Sequence, residues 1–157
     1  MTRFLSRRIV RRFRDSSGNS MLEAAFIAPL LFLVTFAIVD FASILYVHLA
    51  LQNGVGQASR YGVTGQVIAG QSREGSIRTA MRQATPTLTL ADAAFTFSNL
   101  PAGSSTWAGG SGGAGAVDKV TVNYSWTLLT PVLRPFFPTG RINFIVESVM
   151  KNEGVFP

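Results

Sequence analysis

The stretch that decides the fold is residues 18–41, GNSMLEAAFIAPLLFLVTFAIVDF. Within it, Ala24 to Val39 is a run without a single charge, and the apolar character resumes in residues 41–51. An α-helix rises about 1.5 Å per residue, so about 20 residues cross a hydrocarbon core of about 30 Å. The sequence therefore predicts one transmembrane helix from about Met21 to the mid-forties, continuing outward to about Tyr61.

The basic charge of the chain is concentrated before this helix. The net charge is +6, but the residues from Asn19 onward contain eight basic and seven acidic side chains and contribute only +1. An arginine-rich tail by itself is typical of nucleic-acid binding. Arginines directly before an apolar helix are instead typical of its cytoplasmic flank, so we expect a cytoplasmic N-terminus and no nucleic-acid partner. The leader arginines are Arg3, Arg7, Arg8, Arg11, Arg12 and Arg14.

The composition excludes several kinds of site. Charged residues make up 14% of the chain, below the usual share of about 25%. Cysteine is absent, which excludes disulfides and thiolate metal sites. His48 is the only histidine, so we expect neither a metal cluster built on histidines nor a histidine-based triad. No two carboxylates stand out as an acid–base couple. We therefore expect no enzyme, no metal site and no cofactor.

The residues after the helix predict a small α+β domain. Ile77, Ala80, Met81 and Ala84 have helical spacing after a potential N-cap at Ser72, which predicts a short amphipathic helix. Alternating apolar residues predict a strand around 95–97 and two more at 120–128 and 142–150, the last two paired antiparallel with one face covered by helix. Residues 101–116, PAGSSTWAGGSGGAGA, predict a flexible glycine-rich loop.

The predicted organisation has three parts. Residues 1–18 form a basic cytoplasmic leader, residues 19–62 form the transmembrane and extended helix, and residues 63–157 form the small extracytoplasmic α+β domain. The fold class is accordingly α+β, with a long N-terminal transmembrane helix followed by a short amphipathic helix and an antiparallel sheet.

Small residues recur every four positions in the outer part of the predicted helix. Helical spacing places them on one stripe, where another backbone can approach closely. The partner is either the helix of another subunit or the chain's own sheet, and we favour the sheet. The stripe consists of Ala50, Gly54, Ala58 and Gly62.

The start of the helix carries a family resemblance. A glycine with a glutamate five residues later, after a basic leader and before an apolar helix, resembles the processing motif of type IV prepilins. The longer segment is similar to the TadE-like family of the tight-adherence (Tad/Flp, type IVb) pilus system. That family typically has a glutamate, an apolar stretch with a proline, a second acid and a later Ala-x-Arg-aromatic segment. Glu23, Pro29, Asp40 and Arg60-Tyr61 occupy these positions.

The resemblance implies roles for particular residues. A prepilin peptidase, a membrane aspartyl enzyme, would cut after Gly18 at the cytoplasmic face and leave Asn19 as the new N-terminus. Gly18 would allow an extended, exposed peptide at the cut. Glu23 would pair with the N-terminal ammonium of a neighbouring subunit, or else lie at the headgroups, where the helix dipole favours it. Asp40 is expected to be a solvated acid at the outer interface, with a salt bridge in the assembled complex as the alternative.

The implied function is that of a minor pseudopilin with a structural role in assembling a pilus or a related secretion system. Its partners would be other pilus or pseudopilus subunits, the inner-membrane assembly platform, the prepilin peptidase and the lipid bilayer. It would cross the bacterial inner membrane once, with its C-terminal domain in the periplasm or in the pilus.

Two alternatives share these sequence features. The first is a secreted protein with an ordinary signal peptide, cut at a small-x-small site within residues 54–58. The second is an uncleaved, single-pass membrane-anchored binding protein.

Overall fold

A computed structural model describes residues 16–156 of the chain. The leader arginines lie outside the described residues. The chain divides into two compact units, residues 1–35 and residues 36–157. The first helix, α1, spans Ser16–Val63 and supplies residues to both units.

The described part of the first unit is the N-terminal part of α1. Pro29 lies inside this helix, and the helix continues past it, as membrane helices allow. The large apolar side chains here are mostly exposed, with Met21 77% and Phe26 75% exposed. Among the described residues, α1 is the one helix that is long and apolar enough to cross a membrane, with a mean hydropathy of 2.4 over its most apolar window. Length and composition thus agree with a single-pass anchor.

The second unit contains the predicted α+β domain. The second helix, α2, spans Arg73–Ala84 and begins with the predicted cap, since the Ser72 hydroxyl accepts a hydrogen bond from the Gly75 N–H at 3.1 Å. Four strands follow in one antiparallel sheet of order β2-β1-β3-β4. The strands are β1 Phe95–Leu100, β2 Ala108–Gly109, β3 Val117–Thr127 and β4 Arg141–Lys151. The α+β fold class is therefore confirmed, and β2 is the one strand of the sheet that the sequence did not predict.

The core of the second unit is built on the second half of α1. Its buried side chains recur every three or four positions, which gives the helix one face against α2 and the sheet. The structure groups residues 36–62 of α1 with the domain. The outer part of the predicted extended helix thus contributes to the core. The core consists of Val47, Leu51, Val55, Ala58, Ile77, Met81, Leu88, Leu90, Phe95, Phe97, Val120, Val122 and Val146.

Two members of the small-residue stripe of α1, Gly54 and Gly62, lie against α2 and the residue that caps it. A Cβ added to Gly54 would lie 2.5 Å from Cγ2 of Thr85, the residue that caps α2. A Cβ added to Gly62 would lie 3.0 Å from Cδ1 of Ile77. The two helices approach so closely that Gly54 has no room for a side chain. The two glycines of the stripe thus approach α2, whereas the sequence favoured the sheet as the partner.

The glycine-rich segment is mostly loop, with one short strand and several hydrogen bonds within it. Its second half forms β2 and then a bonded turn around Gly112, whose N–H donates to Asp118 Oδ1 at 2.7 Å. The Gly112 carbonyl accepts hydrogen bonds from the guanidinium of Arg73 and from Nδ2 of Asn152. Arg73 also forms a salt bridge with Asp118 at 3.0 Å and donates to the Gly62 carbonyl at 2.7 Å. Arg73 thereby joins the end of α1, the glycine-rich turn and β3.

The C-terminal segment returns to the end of α1. The N–H of Glu153 donates to the carbonyl of Val63 at 3.1 Å, and the N–H of Asn152 donates to Ala116 at 2.8 Å. A Cβ added to Gly65 would lie 2.4 Å from Cδ1 of Phe156, and the φ of +69° at Gly65 also favours glycine. The last strand of the sheet is therefore followed by a fixed segment.

Candidate functional site

The predicted cleavage position lies in the first turns of α1. Gly18 and Asn19 are exposed, and a Cβ added to Gly18 would meet nothing within 4 Å. Packing therefore gives no reason for a glycine at this position. Gly18 is helical in the described part of α1. An extended peptide at this position would require local unwinding of the helix.

Glu23 is an exposed acid on an otherwise apolar surface. It is followed by the uncharged run of residues 24–39, and among residues 16–156 its carboxylate has no cationic partner. It lies four residues after Asn19, which corresponds to about 6 Å along the helix axis. A carboxylate in this position is available to a cation from outside the described chain.

Asp40 is completely buried in the second unit. Its Oδ1 accepts a hydrogen bond from the N–H of Thr130 at 3.0 Å, and its Oδ2 accepts one from the Thr130 hydroxyl. Our expectation of a solvated interfacial acid was wrong, because the loop after β3 folds over this carboxylate and satisfies both oxygens. A buried carboxylate requires such partners.

A second set of contacts holds the same loop and strand beside α1. Ser43, one turn after Asp40, accepts a hydrogen bond from the indole N–H of Trp126 at 3.2 Å. The Arg134 guanidinium donates to the carbonyl of Leu128 at 3.0 and 3.1 Å. We call residues 128–140 the β3–β4 connection. Neither Thr130 nor Arg134 lies in a local sequence pattern that predicts these contacts.

The described residues do not suggest metal chemistry or an enclosed ligand site. Among residues 16–156, no group of three or more histidine or acidic side chains is placed to hold a metal ion. An open groove between α1 and α2 is lined by polar side chains, among them Asn53, Gln57, Arg60 and Gln83. It forms a surface depression and does not enclose a ligand.

Two titratable groups away from α1 have shifted pKa values. The hydrogen bond and the positive charge of Arg82, 2.5 Å away, lower the pKa of the Asp92 carboxyl. Burial raises the pKa of the Tyr124 hydroxyl. The first shift follows from a solvent-exposed ion pair and the second from burial alone, so neither points to acid–base catalysis.

The comparison with known proteins gives a family match that lies within α1. Residues 18–60 match the family model described as TadE-like protein. Neither the curated proteins nor the solved structures gave a match to the chain. The predicted resemblance is thus confirmed over α1, from Gly18 to Arg60. The match supports a component associated with a Tad pilus, and the family is a structural one, not known for catalysis.

Proposed function

Because residues 18–60 of this chain are TadE-like, we propose that it is a minor pseudopilin, a structural component in the assembly of a Tad/Flp-type pilus or related secretion system. The observation that carries the proposal is the double use of α1. Its N-terminal part exposes apolar side chains along its length, and its C-terminal part forms the core of a small domain. Such a chain presents a folded domain from a helix that other membrane helices can contact.

The membrane segment of this pseudopilin would be residues 18–39. From Asp40 onward the helix also supplies buried residues to the domain, although Phe41, Leu45 and Leu49 stay exposed. The uncharged run of residues 24–39 rises about 24 Å, so in a hydrocarbon core of about 30 Å Glu23 would lie near the inner headgroups and Asp40 near the outer ones. The leader arginines favour a cytoplasmic N-terminus in the inner membrane, with the domain on the periplasmic side or in the pilus.

The core argues against the secreted alternative. A signal peptidase cut within residues 54–58 would fall inside α1, at positions that are largely buried against α2. It would also remove Val47 and Leu51 from the core. A secreted domain that lost these side chains would lose a large share of its buried apolar surface. The uncleaved anchor remains the alternative, and N-terminal processing distinguishes it from a pseudopilin.

Gly18→Phe is expected to abolish processing while leaving membrane insertion intact. A bulky side chain has room in the folded helix, so the change should act on recognition of the opened peptide and not on the fold. Co-expression with the cognate prepilin peptidase should shorten the wild-type chain to one that begins at Asn19, as measured by intact mass. Gly113→Phe is the matched control, since Gly113 also has open space around it but lies in the domain. A wild-type mass that is identical with and without the peptidase would favour the uncleaved anchor.

Glu23→Gln is expected to insert normally but to reduce recruitment into pilus complexes by about tenfold, since a charge-assisted bond is worth about 1.5–3 kcal/mol. Glutamine is easier than glutamate to place near lipid, so insertion should not suffer. The change removes the attraction to the ammonium of a neighbouring subunit. Crosslinking to co-expressed pilus subunits measures the loss.

Glu147→Gln is the matched control for this assay. Glu147 is an exposed acid on β4, 4.0 Å from Lys119, and its loss should leave crosslinking unchanged. If Glu23→Gln crosslinks and supports piliation as well as wild type does, Glu23 is an ordinary headgroup carboxylate.

A further inference from the structure

We propose that the β3–β4 connection, residues 128–140, contacts the lipid interface of the membrane that α1 crosses. The inference rests on the proposed function only in requiring that α1 span a bilayer. It adds a second membrane contact, made by the domain itself, and it commits to lipid as the partner.

The first observation is the attachment of this connection to α1. Thr130 is bound through its N–H and its hydroxyl to the two carboxylate oxygens of Asp40. Asp40 directly follows Val39, the last residue of the uncharged run. The connection is therefore fixed to the helix within one residue of the end of the proposed membrane segment. A loop held at that position cannot lie far from the headgroups.

The second observation is the exposed apolar surface of this connection. Its sequence is LLTPVLRPFFPTG, with no acidic residue. Phe136 is 75% exposed and Leu129 is 54% exposed. Removing a phenylalanine side chain from water is favourable, so lipid contact would stabilise this arrangement. The one charged residue is Arg134, and a cation beside anionic headgroups is favourable.

The third observation is that the backbone of the connection satisfies many of its own polar groups. The N–H groups of Phe136, Phe137 and Gly140 donate to carbonyls three residues earlier, at 3.0–3.1 Å. Three further positions are prolines, which have no N–H to satisfy. Unpaired backbone groups are the main obstacle to placing a loop in an apolar medium. This connection suits the interface between headgroups and hydrocarbon. The prolines are Pro131, Pro135 and Pro138.

The charge pattern and the attachment favour lipid over a second copy of the chain. The exposed surface of the connection has a cation and no acid, so two copies meeting there would bring like charges together. Anionic lipid offers the complementary charge. The membrane also lies next to Asp40 by covalent continuity, whereas a second copy would have to be recruited.

The test is the depth of a spin label on the full chain in nanodiscs of phosphatidylglycerol and phosphatidylcholine. The chain has no cysteine, so single cysteines can be introduced without removing any. Phe136→Cys and Leu129→Cys both report on the connection, so the test still works if one of these two variants fails to fold. Leu33→Cys reports on the membrane segment. Val155→Cys is the matched control, because it is an exposed apolar residue near the end of α1, about 35 Å along the helix from Asp40.

With one copy in each disc, the labels at Phe136 and Leu129 should collide more with oxygen, which concentrates in lipid, than with a water-soluble nickel chelate. The label at Val155 should show the opposite preference, and the ratio should differ severalfold between the two places. If Leu33 reports lipid while Phe136 and Leu129 report water, the inference is overturned and the proposed function stands. If Leu33 also reports water, both are overturned. If the connection is shielded from both reagents only in discs that hold two copies, a second copy covers it and the inference is likewise overturned.

Discussion

Asp40→Ala is expected to lower the free energy of unfolding of the domain by about 2–5 kcal/mol. The change removes the acceptor for both the N–H and the hydroxyl of Thr130, and these donors are buried. Each buried donor left without a partner carries its own desolvation penalty. Urea unfolding of the full chain in detergent, followed by tryptophan fluorescence, measures the loss. Trp126 on β3 reports on this region because its indole N–H donates to Ser43, which lies on α1 one turn after Asp40.

Two further variants sharpen this experiment. Thr130→Val removes the hydroxyl and keeps the N–H bond, so it should destabilise less than Asp40→Ala, by about 1–2 kcal/mol. Asp92→Ala removes an exposed acid that is also paired, with Arg82, and it should have little effect because solvent screens that pair. An Asp40→Ala domain as stable as wild type would show that the contact with Thr130 does not hold the β3–β4 connection in place.

Gly54→Val is expected to destabilise the domain by about 3 kcal/mol, because a stiff branched side chain would have to enter a filled space. A Cβ alone would lie 2.5 Å from Cγ2 of Thr85 and 3.4 Å from two atoms of Met81. Both neighbours are buried and have little room to move. The expected result is a lower urea midpoint with α1 and α2 pushed apart.

Gly56→Val is the matched control for this prediction. Gly56 lies in the same helix two residues later, and a Cβ there would meet nothing within 4 Å. Valine also has a slightly better helix propensity than glycine, so stability should stay within about 0.5 kcal/mol of wild type. Equal effects at the two positions would mean that the damage comes from the helix backbone and not from the contact with α2.

Local patterns explain which parts of the fold were predictable. The uncharged run after Glu23 predicted a membrane-compatible helix, because length and hydropathy depend on neighbouring residues alone. Alternation around Val120 and Val122 predicted β3 for the same reason, and the antiparallel pairing with β4 followed. The TadE-like resemblance, carried by motif residues inside α1, was also visible in the sequence.

The missed features depend on contacts between distant parts of the chain. Asp40 was placed by counting residues along a helix, whereas its environment is set by Thr130, 90 positions later. The composition of the glycine-rich segment predicts a loop but does not indicate the contacts that Arg73, Asp118 and Asn152 make with its second half. The stripe at Gly54 was recognised, but a repeat of small residues does not specify which element will approach it.

The double use of α1 has a mechanical consequence. Helix α1 runs from Ser16 to Val63 without an interrupting loop, so no slack segment of chain lies between the apolar stretch and the core residues. In the proposed pseudopilin, tension on the helix would reach Val47, Leu51 and the Asp40–Thr130 contact within the domain. The burial of Asp40 would therefore set part of the force at which the domain unfolds.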